Sequence, residues 1–181
     1  MKLGRDEIVE AALGLVDELG LDALNMRALA KRLGVQASAL YWHVGSKDEL
    51  LSLMAAQFYR KAFETATVGA NWRDWLAAFG HALRMALRAH RDSARLCAIA
   101  RPIQDGVQAR AEQLAGPLVA AGLSRDDALT YEASVISLTL GWVVYEQSNA
   151  LHDHLAELVG FDRSYGTGLE ALVRGFSGPE I

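Results

Sequence analysis

At 181 residues the chain is long enough for a small reading domain and a larger helical body, and its 51% hydrophobic and 22% charged residues argue against a disordered or fibrous protein. A net charge of −4 argues against a protein that coats nucleic acid non-specifically, so any contact with DNA has to use a local basic patch. The single cysteine, Cys97, excludes an internal disulfide and a spaced zinc cluster.

Ile8, Ala12, Leu15, Val16 and Leu19 recur at helical spacing ahead of Gly20, which predicts a first helix from Arg5 to Leu19 with a left-handed C-terminal cap. Asn25 is the N-cap of a short helix from Met26 to Leu33 ended by Gly34, and a second short helix runs from about Gln36 to His43. Two short helices around a tight Gly turn form a helix-turn-helix candidate. Ser46-Lys47-Asp48-Glu49 then has the form of a capping box, with Glu49 reaching back to the Ser46 amide ahead of Leu50, Leu51, Leu53 and Met54, and a long fourth helix continues to about Ala66.

Val68-Gly69-Ala70 is a break, and Asn71 with Asp74 opens a helix whose apolar set is Trp72, Trp75, Phe79, Leu83 and Leu87. Helical pieces follow at Ser93 to Ala100 and at Gly106 to Ala121, separated by Arg101-Pro102, the second kinked at Pro117 and closed by Gly122. Ser124 starts a helix that reaches about Asn149. From Ala150 to Tyr165 the pattern weakens to a loop with one turn of helix, before Leu169, Leu172, Val173 and Phe176 restore a helical face. No apolar run approaches the roughly 18 residues of a membrane helix, and Met1 to Asp6 leads into charged amphipathic sequence, so the expectation is a cytoplasmic protein without a membrane partner.

Acidic Asp6, Glu7, Glu10, Asp17, Glu18 and Asp22 crowd the first helix and its exit, whereas Arg27, Lys31, Arg32, His43 and Lys47 cluster just after it. Leu29, Leu33, Val35, Leu40 and Val44 suit a lock onto the first helix, leaving the other face of the second short helix free for a major groove, which admits one α-helix. Lys31 and Arg32 either form a solvated face or touch phosphate.

The stretch with Ala28-Leu29-Ala30, Leu33-Gly34-Val35, Leu40-Tyr41-Trp42-His43-Val44 and Lys47 resembles the DNA-reading domain of the tetracycline repressor (TetR) family. The resemblance continues more weakly through His90-Arg91-Asp92, Arg101-Pro102, Leu138-Thr139-Leu140-Gly141 and Gly168 to Leu172, and so covers most of the chain. It implies an all-α fold in which a three-helix helix-turn-helix domain, residues 1–46, is joined by the long helix to a helical ligand-binding and dimerisation domain, residues 47–181. It further implies a ligand-responsive regulator, a repressor that binds a palindromic operator in double-stranded DNA as a homodimer and is released by a small-molecule effector. Arg27 would reach a base edge or a phosphate, Ala37 and Ser38 would face base edges with Gln36 and Ala39 beside them, and Tyr41, Trp42, His43 and Lys47 would fix the backbone. Arg27 can grip guanine in bidentate fashion, Ser38 can donate or accept, and Ala37 can only touch a thymine methyl. The family's best-studied member has a Gln-Pro pair where this chain has Ala37-Ser38, so a different operator is expected.

The back of the chain interleaves Phe63, Trp75, Phe79, Leu83, Ile103, Val107, Leu138, Trp142 and Tyr145 with polar His81, Arg101, Gln104, Gln108 and Gln147. Aromatic walls with few polar groups suit a small apolar or aromatic effector, although each residue serves equally well as ordinary core. Where the family holds a drug-bound metal through a histidine and a glutamate, this chain has Cys97 and Tyr145, and the positions for the drug's polar edge are Phe63 and Phe79; a magnesium-drug chelate would lose its hard ligands. His152-Asp153-His154 places two imidazoles at i and i+2, which diverge on a helix, so a solvated loop is expected and neither a metal nor a cofactor.

Ala133, Ser137 and Gly141 on the long late helix, with Gly168, Ala171 and Gly175 on the last, allow close packing. Leu129, Ile136, Leu140, Leu172 and Phe176 would add apolar surface to a two-fold four-helix interface, an arrangement the resemblance implies too. The expected switch is a swing of the fourth helix that spoils half-site spacing when effector binds. No nucleophile triad, paired carboxylates, glycine-rich phosphate loop or cysteine pair is recognisable, so no enzyme is expected; the alternative is a scaffold or small-molecule binder of the same fold that does not touch DNA, supported by the acidic balance.

Overall fold

Ile8, Ala12, Leu13 and Val16 are withdrawn from water along one side of the first helix, and the N-terminal helices assemble against that stripe. The computed structural model of the chain describes the backbone of residues 3–66, 71–101 and 107–178, and side chains throughout these except at 107–111, 113, 114 and 149. Its elements are α1 (Arg5–Leu19), a short 3-10 helix (Leu21–Ala23), α2 (Met26–Leu33), α3 (Ala37–Tyr41), α4 (Lys47–Thr65), α5 (Trp72–Arg88), α6 (Ser93–Ile99), α7 (Val107–Ala120), α8 (Arg125–Gln147), α9 (Asn149–Ala156) and α10 (Phe161–Gly175). No strand occurs among the described residues.

The capping chemistry explains most boundaries. Asn25 Oδ1 accepts the Ala28 amide at 2.9 Å to start α2, and Gly34 ends it at φ +68°, a left-handed conformation that glycine adopts without strain. Ser46 Oγ accepts the Glu49 amide at 3.0 Å at the head of α4. Glu49 reaches one residue further than expected, accepting the Gly45 amide at 2.9 Å rather than that of Ser46. The same device recurs at Asn71 for α5 and Ser124 for α8.

A continuous buried core runs from Ile8 to Val173. In the body, α5 packs between α4 and α8, with α10 against α5 and α8. Gly80 marks a close approach of helices: a Cβ there would lie 2.9 Å from Leu169 and 3.0 Å from Val135, so α10 and α8 both close on α5 at this point. One turn later Arg84, nearly buried, is bonded to Glu146 of α8 and lies 2.8 Å from Asp162 of α10, with its guanidinium over the Tyr165 ring.

The weak region from Ala150 to Tyr165 is more helical than its sequence pattern predicts. α9 forms two turns, and α10 begins at Phe161 although Gly166 and Gly168 lower its helix propensity. Tertiary contacts outweigh propensity here: Arg84 and Arg88 hold Asp162, and the His152 ring stacks on Phe161 at 4.9 Å. His152-Asp153-His154 therefore lies on a helix and not in a loop.

Candidate operator interface and effector cavity

α3 is a single turn and a half whose inner and outer faces differ sharply. Leu40 and Val44 are fully buried, while Tyr41 is 49% and Trp42 89% exposed. An indole exposed to that degree has no support from the core and presents an apolar ring with a polar N–H to any partner that approaches this surface. Gln36, Ser38 and Lys47 are exposed on the same surface, Ala37, Ala39 and His43 are half-buried, and Arg27 is exposed on α2. Arg27, Lys31 and Lys47 make no ion pair among the described residues, whereas Arg32 turns back to Glu18 at 2.8 Å. Of the two basic residues left open by the sequence, Lys31 faces out and Arg32 is committed to α1.

Arg5 Nε donates to the His43 carbonyl at 2.9 Å, so the exit of α3 is pinned to the start of α1. The reading unit is also tied to the body by a polar seam: Asp17 accepts the Arg91 amide at 2.8 Å and contacts His90 Nδ1 at 2.9 Å. The Leu21 amide donates to Asp92, and Arg95 grips Asp22 through two nitrogens at 2.6 and 2.9 Å. Asp92 holds φ +55° at the N-cap of α6 to make this contact. None of these seam partners is detectable from sequence spacing, because they lie about 73 residues apart.

A cavity of about 500 Å³ opens where α1, α4, α6 and α8 meet. Leu53, Ala56, Phe63, Ile136 and Cys97 form its apolar wall, and Arg5, Arg60 and Arg101 stand at its mouth, each faced by a carboxylate at 3.6 to 3.9 Å: Glu49, Asp6 and Asp48 respectively. Burial pushes the Cys97 thiol up to about 11, against a smaller lowering by its hydrogen bond with Tyr59, so it is neutral at physiological pH. Among the described residues no group of three or more His, Cys, Asp or Glu is placed to hold a metal ion.

The model of bacterial tetR-family regulatory proteins matches residues 8–54, and that of the tetracyclin repressor-like C-terminal domain matches residues 66–166. The chain belongs to the TetR family. It is a ligand-responsive transcriptional regulator. It is 37% identical over 149 residues to the tetracycline repressor protein class A from transposon 1721 of Escherichia coli, spanning 81% of this chain and 68% of that protein. A TetR variant from Acinetobacter baumannii AYE, crystallised with minocycline, matches with a TM-score of 0.78 at 32% identity over 97% of each chain. BioQ, crystallised with its natural double-stranded DNA operator, matches with a TM-score of 0.71 at 34% identity over 97% of this chain and 98% of that one.

Within this TetR-family regulator the expected effector residues separate into groups. Phe63, Cys97 and Arg101 line the cavity. Trp75, Phe79 and Leu83 are core residues behind it; Trp75 meets Phe63 edge-on at 5.6 Å and stacks on Phe79 at 5.3 Å. Half-buried Leu138 packs against the core. Trp142 sits among Tyr145, Phe161 and Tyr165, with Tyr145 43% exposed. Gln147, polar and read as pocket-facing, instead bridges the α5–α6 turn, donating to the His90 carbonyl at 2.7 Å. Ile103 and Gln104, and the side chains of Val107 and Gln108, lie outside the described residues.

The expected dimer set also divides. Ile136 lines the cavity, and Phe176 stacks on Tyr131 at 4.1 Å within the chain. Ala133, Ser137, Gly141 and Gly175 are exposed, Leu129, Leu140, Gly168 and Leu172 half-buried, and a Cβ added at Gly141, Gly168 or Gly175 would meet open space. The cavity's contributions from α1 and, apart from Phe63, from α4 were missed, although Leu53, Ala56, Arg60 and Phe63 recur every three or four residues, which is the signal of one helix face.

Proposed function

We propose that this regulator represses by binding a palindromic operator as a two-fold dimer, and that a small, largely apolar or aromatic effector between α4, α6 and α8 releases it. The observation that carries the reading is the division of α3: Leu40 and Val44 hold it to the core while Tyr41 and Trp42 stand in solvent. In this reading Arg27 reaches a base edge or phosphate, Ala37 and Ser38 face base edges beside Gln36 and Ala39, and Tyr41, Trp42, His43 and Lys47 fix the backbone, since most protein–DNA hydrogen bonds go to phosphate and sugar. The BioQ complex with its operator supports a DNA-reading role for this architecture.

The dimer reading rests on α8. An 18-residue window of this helix has a mean hydropathy of 1.2, enough in length and composition for a membrane span, yet only 28% of it is buried within the chain. Its open face carries Ala133, Ser137 and Gly141 with Val144 and Tyr145, small residues beside apolar ones, which suits close packing with α8 and α10 of a second copy better than contact with lipid. Two-fold symmetry would set the α3 helices one helical turn of DNA apart, ~34 Å.

Release follows from the shared position of the cavity. α4 forms part of its wall through Leu53, Ala56 and Phe63, and the same helix begins at Lys47 beside α3. Ser52 on α4 donates to the Arg101 carbonyl at the end of α6, so an occupant that separates α4 from α6 breaks a bond that fixes the reading unit. Only an effector with different affinity for the two arrangements can do this. The regulator acts by binding alone, without catalysis, in the cytoplasm where its operator lies. Arg27→Ala and Tyr41→Ala each weaken operator binding in a mobility-shift titration, Arg27→Ala by roughly 1 to 3 kcal/mol if it reads a base. An unchanged shift in both variants defeats the reading.

A further inference from the structure

Three arginines from separate parts of the chain converge on the opening of the cavity: Arg5 of α1, Arg60 of α4 and Arg101 just after α6. In a chain of net charge −4 this is a local excess of positive charge, since among the described lining residues Asp6 is the one carboxylate. Glu132, buried on α8, is not part of the lining. The carboxylates that face the arginines hold them loosely: Arg5 approaches Glu49 at 3.7 Å, Arg60 approaches Asp6 at 3.9 Å and Arg101 approaches Asp48 at 3.6 Å, each longer than a hydrogen bond. Glu49 already accepts the Gly45 amide. Single ion pairs at the surface contribute little, so these guanidiniums exchange readily to a better-placed acceptor.

The rest of the lining has the opposite character. Leu53, Ala56, Phe63, Cys97 and Ile136 form an apolar wall, while polar Ser52 is spent on the Arg101 carbonyl and Gln57 on Glu10. An occupant that satisfies both parts has an anionic end and an apolar body. We propose that the effector is an organic anion, a carboxylate on an apolar or aromatic body, with its charge held by Arg60 and Arg101 and its body against the wall formed by α4, α6 and α8. This rests on the effector reading above. A guanidinium offers a carboxylate two parallel hydrogen bonds, a better match than the long single contacts it would replace. Arg5 extends the site to the reading helix: its Nε donates to the His43 carbonyl at 2.9 Å, so a carboxylate that draws this guanidinium toward the mouth competes with the contact that pins the exit of α3.

The test uses the purified full chain at pH 7.5 and three probes of one skeleton: 6-phenylhexanoate, 6-phenylhexanol and 6-phenylhexylamine. Dissociation constants come from tryptophan fluorescence, which Trp75 reports through its contact with Phe63 of the wall. The expected result is that the carboxylate binds at least tenfold more tightly than the alcohol, the amine more weakly than both, and that the carboxylate's advantage shrinks as salt is raised. Arg60→Gln combined with Arg101→Gln brings the carboxylate's constant toward that of the alcohol, whereas Arg60→Lys, which keeps the charge, retains most of the preference. A wild type that binds the carboxylate no better than the alcohol, or binds neither, overturns the anion site, as does a preference untouched in the paired glutamine variant; the wild-type comparison stays decisive should that variant fail to fold. A mobility shift separates the readings. A wild type that binds no operator without probe defeats the regulator; one that prefers the carboxylate yet keeps its operator at saturating probe upholds the anion site and defeats release from it; one released by the alcohol or amine at lower concentration than the carboxylate defeats the anion site alone.

Discussion

Leu40 and Trp42 stand two residues apart and have opposite environments, one fully buried and the other 89% exposed, and this contrast makes α3 a reading element. It was legible in the sequence because an apolar pair at Leu40 and Val44 leaves Trp42 on the far side of the turn. Glu132 was not legible, since a single glutamate in a helical run reads as surface until packing shows otherwise. Burial pushes its carboxyl up to about 7 from an ordinary 4.5, so the folded state holds a proton that the unfolded chain gives up. The sign follows: this proton's contribution to stability is fully present below about pH 4.5 and is lost as pH rises through about 7. Relative to Glu132→Gln, whose amide does not titrate, the wild type therefore loses on the order of 3 kcal/mol of stability between pH 4.5 and 8. Urea unfolding of both proteins across that range measures the difference, and parallel curves contradict it.

Among the elements, those with strong caps were placed well by sequence alone. α1, α2, α4, α5 and α8 begin or end where Gly20, Asn25, Gly34, Ser46, Asn71 and Ser124 put them, because each cap satisfies backbone groups that a helix end leaves open. α9 and the start of α10 lack a side-chain cap, and their helicity depends on Arg84, Arg88 and Phe161 contacts that only the folded chain supplies. The importance of a cap is testable at Asn25, which is exposed and has no core role. Asn25→Ala costs about 1 kcal/mol in denaturant unfolding, because the Ala28 amide loses its acceptor, and it weakens operator binding by loosening α2 under Arg27. An unchanged midpoint contradicts the capping role.

On the scale of the whole molecule, the reading unit is held to the body at two places, the rod of α4 and the polar seam of Asp17, Leu21 and Asp22 with residues 90 to 95. The cavity lies between them, against α1, α4, α6 and α8. The residues expected from the sequence to face an effector include Phe63, Cys97 and Arg101, which line the cavity, together with Trp75, Phe79, Trp142 and Tyr145, which are not among its lining. In the fold Trp75 and Phe79 are core behind the cavity wall, because burial of large aromatics takes precedence over lining an open space, while Trp142 packs against Phe161 and Tyr165 of α10 and Tyr145 stays 43% exposed on α8. The open face of α8 is the complementary case, an apolar helix that the single chain leaves uncovered. A dimer through that face makes operator symmetry its most direct consequence. Selection of bound sequences by the full chain from a random duplex library tests this together with DNA reading: the predicted result is an inverted repeat whose half-sites are centred about 10 base pairs apart or a multiple of that. Enrichment of an unrepeated sequence, or no enrichment at all, would contradict a two-fold regulator reading DNA through α3.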